Sequence, residues 1–335
     1  MYLLLRIVWV ILLSFSASVP TTYAAVFSAE YEFDEPNPPR FVLPAAGAAV
    51  ARPRLALVLG SGGRRGFAHA GVLRVLESAN IKPDLIVGVS VGSVIGALYA
   101  SGMSAADVEQ LALTLDLSAF RDLSWLHWGR IRGQKLQDFV NAHVNQRPLE
   151  SFATRFAVVA TRQHDGMMHI FNHGNTGAAV RASSAVPDRF YALRIDGVSY
   201  VDGDVASPVP VRAARMLGAE VVIAVDISAN LDNVPQSVPD EWLRVDRARR
   251  TRIDAETRLA DVLIHPDIGY YAGTSGNYRA RAIAAAAEAT RAALPSIKAA
   301  IAALAAQAAK RAAGTVPLSP TATSPAPSPA PPVAR

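Results

Sequence analysis

Short apolar runs alternate along the chain with segments in which apolar residues recur every three or four positions. Runs of the first kind suit strands that are buried on both faces, whereas the second pattern is typical of helices packed on a sheet. The alternation therefore predicts an α/β fold with a mostly parallel central sheet and helices on both faces. The apolar runs are 54–60, 84–89, 156–161, 168–171, 195–201, 220–227 and 261–264, and the helical segments include 66–80 and 91–100.

The first 24 residues follow a different pattern. One positive charge at Arg6 precedes an apolar stretch over 7–15, and small residues around Ala24 fit a cleavage site. That stretch is well short of the roughly 20 apolar residues that span a bilayer. Residues 1–24 are therefore predicted to be a cleaved signal peptide, with the protein periplasmic or secreted. The alternative is an uncleaved N-terminus that anchors the protein in a membrane.

Proline-containing segments flank the predicted domain. Residues 25–50 contain four prolines and no helical or strand periodicity, which indicates a linker. Residues 314–335 hold seven of the 22 prolines and are predicted to be a disordered tail of Pro, Ala and Ser. Residues 51–313 remain as one domain. It is expected to end in alanine-rich helices, with a break at Pro295.

A serine lies between a predicted strand and a predicted helix. The sequence there is Gly88-Val89-Ser90-Val91-Gly92, a G-x-S-x-G pattern at a strand-to-helix turn. Such a turn needs glycines because strand and helix backbones approach each other closely. It would expose the Ser90 hydroxyl at the edge of the sheet. The context favours a nucleophile over an ordinary turn serine.

A glycine-rich loop, from Gly60 to Gly66, follows the first apolar run directly before a helix. Convergent backbone N–H groups can bind either a nucleotide phosphate or the oxyanion of a tetrahedral intermediate. Nucleotide binding would require an acidic residue at the end of the second strand or a Gly-Lys-Ser/Thr sequence, and both are missing. The loop is therefore predicted to stabilise an oxyanion beside Ser90.

A serine nucleophile needs a base, and two arrangements are open. Asp202 follows a strand-like run in the sequence Asp202-Gly203-Asp204. His265, at the end of another run, follows Asp202 in the chain and would complete a Ser90–Asp202–His265 triad. Histidine is the usual base for a catalytic serine, so the residues alone do not choose between the two.

Together these three motifs resemble the patatin-like phospholipase family, specifically its bacterial branch related to neuropathy target esterase. Similar stretches extend beyond the motifs, and the resemblance covers roughly residues 54–290. It implies a three-layer patatin-like fold with a strand–serine–helix nucleophile elbow. The motifs are Ser61-Gly62-Gly63-Arg64-Arg65-Gly66, Gly88-Val89-Ser90-Val91-Gly92 and Asp202-Gly203-Asp204.

The resemblance also implies an activity. It suggests a serine acylhydrolase of the phospholipase A or lysophospholipase type, in which Asp202 activates Ser90 directly and no cofactor or metal takes part. The N–H groups of Gly62, Gly63 and Arg64 would hold the oxyanion. The remaining motif residues, in supporting roles, would be Arg65, Gly66, Gly88, Gly92 and Gly203. The alternative is a lipid-binding or regulatory protein of the same fold with little turnover.

Two residues depart from the family motifs. Ser61 stands in place of the first glycine of the oxyanion motif, and Asp204 stands where the family often has glycine or alanine. A second carboxylate near Asp202 could raise its pKa by repulsion between like charges. We expect the Asp204 side chain to point to solvent instead.

Composition excludes several classes of protein and of catalytic site. Of 335 residues 51% are apolar and 18% charged, which excludes a fully disordered chain. The absence of cysteine excludes a thiol nucleophile and a lipidated N-terminal cysteine. The net charge of +5 reflects abundant arginine, and no nucleic-acid-binding module is present.

Two arginine-rich segments bear on possible contact with a membrane. Arginines and tryptophans alternate in 120–132, which suits either a membrane surface or a connector packed on the core. Six arginines in 244–258 alternate with acidic residues and predict a solvated helix face.

Overall fold

A nine-stranded sheet lies at the centre of the part of the molecule that the structure describes. The structure is a computed structural model, and it describes residues 30–33, 36–43, 55–123 and 130–314. Predictions for the signal peptide, for most of the linker and for the proline-rich tail lie outside these residues. The strands are β1 (Glu30–Glu32), β2 (Leu55–Leu59), β3 (Leu85–Val89), β4 (Arg155–Arg162), β5 (Met168–Phe171), β6 (Ala192–Ile195), β7 (Val198–Asp202), β8 (Val221–Val225) and β9 (Val262–Ile264).

The strands follow the order β1-β6-β7-β4-β3-β2-β8-β9, and β5 also pairs with β4. The run β4-β3-β2-β8-β9 is parallel throughout, with Leu57 of β2 opposite Ile86 of β3 and Ile223 of β8. β4 pairs antiparallel with β5 and β7, and β6 pairs antiparallel with β7. The prediction of a mostly parallel sheet is confirmed.

Helices cover both faces of this sheet. They are α1 (Ala68–Ser78), α2 (Val91–Ala100), α3 (Ala105–Thr114), α4 (Gln134–His143), α5 (Thr176–Ser183), α6 (Val211–Met216), α7 (Asp240–Thr257) and α8 (Gly276–Gly314). Because side chains alternate along a strand, Leu57 and Leu59 of β2 contribute to the core on one face, together with α1, α2 and α8. Ala56 and Val58 contribute to the core on the other face, with α6 and α7. The predicted three-layer arrangement is confirmed.

Two segments differ from the sequence-based expectation near β6. The run 195–201, expected as one strand, is a hairpin in which Asp196 and Gly197 turn the chain between β6 and β7 with φ of 49° and 79°. Positive φ at both central residues suits the tight right-handed twist of a two-residue hairpin. Part of the predicted linker forms β1, which pairs with β6. Three residues are too few to show a strand periodicity.

The C-terminal segment is one helix, so the predicted break at Pro295 is wrong. Proline removes one backbone hydrogen bond from a helix interior. Burial of Ile297 and Leu304 beyond Pro295, on the domain that already buries Ile283 and Ala286, offsets this loss. By length and composition alone α8 could also cross a membrane, but a helix of a soluble core passes the same test.

Candidate active site

Ser90 lies at the sharp turn between β3 and α2. Its φ of 52° and ψ of −126° are unusual for a residue with a side chain. The surroundings fix this conformation, because the N–H of Ser90 donates to Ser183 Oγ at 2.8 Å and Ser183 Oγ donates to the Val159 carbonyl at 2.5 Å. The predicted strand–serine–helix elbow is therefore present, with strain stored at the serine.

The motif glycines allow the close contacts on which the elbow depends. A Cβ atom at Gly92 would lie 2.1 Å from the Leu59 carbonyl oxygen, and one at Gly66 would lie 2.1 Å from Val91 Cγ2. Either contact is far below van der Waals distance, so a side chain there would separate the glycine loop or β2 from the elbow. A Cβ atom at Gly88 would lie 2.5 Å from Ser93 Cα, and one at Gly203 would lie 2.3 Å from the Val159 carbonyl oxygen.

Asp202 reaches Ser90 through the register of β4. Val159 of β4 is opposite Val89, the residue before Ser90, and the next residue, Ala160, is opposite Asp202. The two side chains meet, and Ser90 Oγ donates a hydrogen bond of 2.8 Å to Asp202 Oδ2. Both residues are buried. The structure brings together the two residues that the motifs singled out.

Burial is the main influence on the Asp202 carboxyl. It raises the pKa to about 7, and the nearby Asp204 carboxylate adds to the increase. Hydrogen bonds from the Asp204 N–H, 2.8 Å from Asp202 Oδ1, and from Ser90 Oγ oppose it, as does the charge of Arg249. A carboxylate with a pKa near neutrality can accept and return a proton at physiological pH.

The glycine-rich loop follows β2 and runs into a short 3₁₀ helix, Gly63–Phe67. In the described part of the chain, the backbone N–H groups of Gly62, Gly63 and Arg64 donate to no protein acceptor. Gly63, Arg64 and Ser90 line the same cavity. The loop thus has N–H donors available on the side of the elbow where a bound carbonyl would lie. Arg65 points elsewhere, and its guanidinium donates to the Tyr270 carbonyl.

Residues 57–215 match the family model described as patatin-like phospholipase. The chain carries a patatin-like phospholipase domain. Its fold is similar to that of VipD from Legionella pneumophila, with a TM-score of 0.54 at 14% identity over 73% of this chain and 67% of that one.

Three relatives show how far the sequence similarity extends. The chain is 32% identical over 201 residues to Patatin-like phospholipase domain-containing protein 6 of Homo sapiens, and 31% identical over 197 residues to an uncharacterized NTE family protein of Mycobacterium tuberculosis. It is 32% identical over 207 residues to Lysophospholipase NTE1 of Coccidioides immitis. These matches cover 56–57% of this chain but only 15%, 55% and 13% of the relatives. The chain therefore spans about half the length of the mycobacterial relative and less than a sixth of each of the other two.

The two departures from the patatin motifs contact each other. Ser61 Oγ and Asp204 Oδ1 are hydrogen-bonded, and Arg249 of α7 donates to both, with 2.6 Å to Asp204 Oδ1 and 2.7 Å to Ser61 Oγ. The expectation that Asp204 points to solvent is therefore wrong. An arginine on a distant helix neutralises its charge, and this contact joins the glycine loop to the Asp202 turn.

Arg249 was not identified from the sequence, where the arginines of 244–258 predicted a solvated helix face. That prediction is wrong for Arg249 and Arg250, which are partly buried in ion pairs with Asp204 and Asp226. Polar residues at two motif positions that are usually glycine or alanine were the available signal, since such residues need a partner when buried.

His265 lies away from Ser90 and Asp202. Its Nδ1 is 2.8 Å from the Asp226 carbonyl oxygen and 3.2 Å from Asp226 Oδ2. β9, which precedes His265, is three strands from β3 in the sheet, roughly 14 Å at the usual strand spacing. The geometry does not support the Ser90–Asp202–His265 triad.

A cavity of about 360 Å³ opens beside Ser90. Its walls are mainly aliphatic and aromatic side chains from α2, α3, α4 and the segment around Phe190. Phe120 and Ile131, which belong to the segment 120–132 with its arginines and tryptophans, also line it, whereas 124–129, with both tryptophans, lie outside the described residues. An apolar cavity at a serine suits an acyl chain. No group of histidine and acidic side chains in the described residues could hold a metal ion.

Proposed function

We propose that this protein is a serine acylhydrolase that cleaves the acyl esters of phospholipids or lysophospholipids, with Ser90 as nucleophile and Asp202 as its base. The hydrogen bond of 2.8 Å between Ser90 Oγ and Asp202 Oδ2, at the mouth of an apolar cavity, carries the proposal. The name of one relative, Lysophospholipase NTE1, supports the choice of substrate class.

The arrangement accounts for acyl-enzyme formation. Ser90 Oγ attacks the ester carbonyl carbon while its proton passes to Asp202 Oδ2. The N–H groups of Gly62, Gly63 and Arg64 hold the oxyanion of the tetrahedral intermediate. When the intermediate collapses, the ester C–O bond breaks and the leaving alcohol takes the proton from Asp202. The acyl group is then an ester of Ser90.

Hydrolysis of the acyl-enzyme repeats the sequence with water. Asp202, again ionised, accepts a proton from a water molecule as it attacks the acyl carbonyl. Collapse of the second intermediate releases the fatty acid and returns the proton to Ser90 Oγ. The apolar cavity holds the acyl chain throughout.

Labelling with a fluorophosphonate probe tests the nucleophile. The wild-type protein should be labelled and should release fatty acid from lysophospholipid, whereas Ser90→Ala should be neither labelled nor active. Ser151→Ala, which removes an exposed serine hydroxyl, is the matched control. Labelling of folded Ser90→Ala, or an unlabelled wild type that binds lipid without hydrolysis, would contradict the proposal and favour a binding protein.

We also propose that the protein is exported and that residues 1–24 are removed. The charged start, the apolar stretch and the small residues at Ala24 support this. Intact mass of protein purified from an exporting host should correspond to a chain that begins at Ala25. A mass that includes Met1, together with fractionation to the membrane, would favour an uncleaved anchor.

A further inference from the structure

The charged side chains that line the cavity beside Ser90 are all arginines. Among described residues, Arg64, Arg121 and Arg189 line it, and no carboxylate does. They come from three separate parts of the chain: the glycine loop, the end of the 3₁₀ helix Leu117–Phe120, and the segment between α5 and β6. An apolar cavity whose charged lining side chains are all positive is suited to an amphiphile with an anionic group.

No described carboxylate lies within ion-pair distance of the three guanidinium groups, although Asp116 interacts with Arg121 at longer range. In the part of the chain that the structure describes, none of them makes an ion pair or a hydrogen bond, and all three residues are exposed. Other arginines of the domain differ in this respect: Arg249 and Arg250, for example, are held by carboxylates. Groups that are left unpaired around a cavity are available to a ligand.

A buried hydroxyl adds a fourth polar contact. Ser184 lines the same cavity, and its Oγ is buried and has no hydrogen-bond partner among the described residues. A buried hydroxyl without a partner is destabilising unless a ligand or water satisfies it. Because Ser184 and Ser90 line one cavity, an oxygen atom of a bound substrate can accept from this hydroxyl.

We propose that Arg64, Arg121 and Arg189 bind the phosphate of the substrate headgroup, so that the enzyme prefers lipid esters whose phosphate charge is not balanced by a cation. The proposal rests on the proposed function. With the acyl chain in the cavity and its ester at Ser90, the rest of the lipid lies at the mouth. In a glycerophospholipid the phosphate is only a few bonds from the ester. Guanidinium groups bind phosphate oxygens in pairs of parallel hydrogen bonds.

Matched single-chain esters test the preference. Lysophosphatidic acid, lysophosphatidylglycerol, lysophosphatidylcholine and monoacylglycerol with the same octanoyl chain are compared below their critical micelle concentrations, so that no lipid surface is present. We expect kcat/KM to be at least about tenfold higher for the two anionic esters, the ratio that one charge-assisted hydrogen bond supports. Equal rates for anionic and neutral esters would overturn the proposal and leave the proposed function intact.

Variants assign the preference to Arg121 and Arg189. In Arg121→Ala and Arg189→Ala the ratio of kcat/KM between anionic and neutral esters should fall several-fold, and the lysine variants should recover part of it. Arg258→Ala, which removes an exposed arginine at the end of α7, is the matched control for net charge. A ratio that survives in the cavity variants, or falls equally in the control, would overturn the assignment.

Binding separates this proposal from the proposed function. Calorimetric titration of Ser90→Ala protein with octanoyl lysophosphatidic acid should give a lower Kd than titration with monoacylglycerol, and adding Arg189→Ala to this protein should reduce the difference several-fold. The result does not depend on turnover. An anionic preference that appears only with vesicles would indicate attraction to a charged lipid surface and would contradict a phosphate site.

Discussion

Two buried aspartates at the ends of strands have pKa values that are shifted in opposite directions. Asp202 ends β7 and Asp226 follows β8, and burial disfavours the charge of both. At Asp226, nearby His265 and Arg250 outweigh burial, and its pKa is lowered. Arg250 Nη1 lies 2.6 Å from Asp226 Oδ2. Asp202 has a hydroxyl and an N–H as partners, and its pKa is raised to about 7.

This difference in pKa distinguishes a carboxylate with a structural role from one that can exchange a proton. A carboxylate that is paired with an arginine and contacts a histidine, as Asp226 does, stays ionised and holds its neighbours in place, but it is a poor proton acceptor. A buried carboxylate whose cation is one residue removed, as Arg249 is from Asp202 through Asp204, can exchange a proton near neutral pH. A substitution at the Asp202 site should therefore change activity, whereas removal of a partner of Asp226 should change stability.

The largest expected effect is on activity at Asp202. Asp202→Asn should lower kcat by about 10²–10⁴-fold, the usual contribution of a positioned base, while the protein stays folded because asparagine keeps the shape and avoids a buried charge. Ester hydrolysis measures kcat, and circular dichroism shows whether the protein is folded. Asp196→Asn on the same hairpin is the control. Activity within threefold of wild type would show that Asp202 is not the base.

Removing a cation at the other site should affect stability instead. Arg250→Ala leaves Asp226 buried with one partner fewer, and we expect a loss of about 3 kcal/mol in the free energy of unfolding. Urea denaturation measures the loss, and exposed Arg247 on the same helix provides the control variant. If Arg250→Ala lowered kcat a hundredfold at unchanged stability, the distinction between the two sites would fail.

The pH profile should report Asp202. Its base form exists only above the pKa, so kcat/KM should fall tenfold per pH unit below about pH 7. Arg249→Leu removes the charge that lowers this pKa, and the acid limb should move to higher pH, with a loss of less than about tenfold at pH 6. Arg249→Lys should restore the position of the limb. An acid limb that stays in place in Arg249→Leu would show that Arg249 does not influence the pKa of Asp202.

The smallest effect is expected at His265. His265→Ala should keep kcat within about twofold, because His265 contacts Asp226 and not Ser90 or Asp202. A modest fall in Tm should accompany it, since Asp226 loses one neighbour. His164→Ala, on an exposed turn, is the control. A thousandfold loss of kcat would restore the triad that the geometry disfavours.

Much of the fold could be predicted because its signals are local. Buried parallel strands appear as continuous apolar runs, and β2, β3 and β8 fall within the predicted runs 54–60, 84–89 and 220–227. The errors arose where local signals were weak or overridden: at β1, which has three residues, at the turn through Asp196, and at Pro295, where burial of the following turns outweighs the lost hydrogen bond.

The candidate site was only partly predictable for the same reason. The glycines around Ser90 are required by close backbone contacts within a short stretch, so the motif is visible in the sequence. Arg249 is 45 residues from Asp204 and 188 from Ser61. No local periodicity connects residues at such separations, and a helix with six arginines offers no means of choosing one.

The sequence by itself therefore determined the layers of the fold, the serine elbow and the glycine loop, since each depends on neighbours in the chain. Only the tertiary structure decided which groups share a proton or a charge. The register of β4 places Asp202 beside Ser90, and the sheet order places His265 beside Asp226. These pairings depend on how distant strands align, and the alignment sets the distances and the burial from which the electrostatics follow.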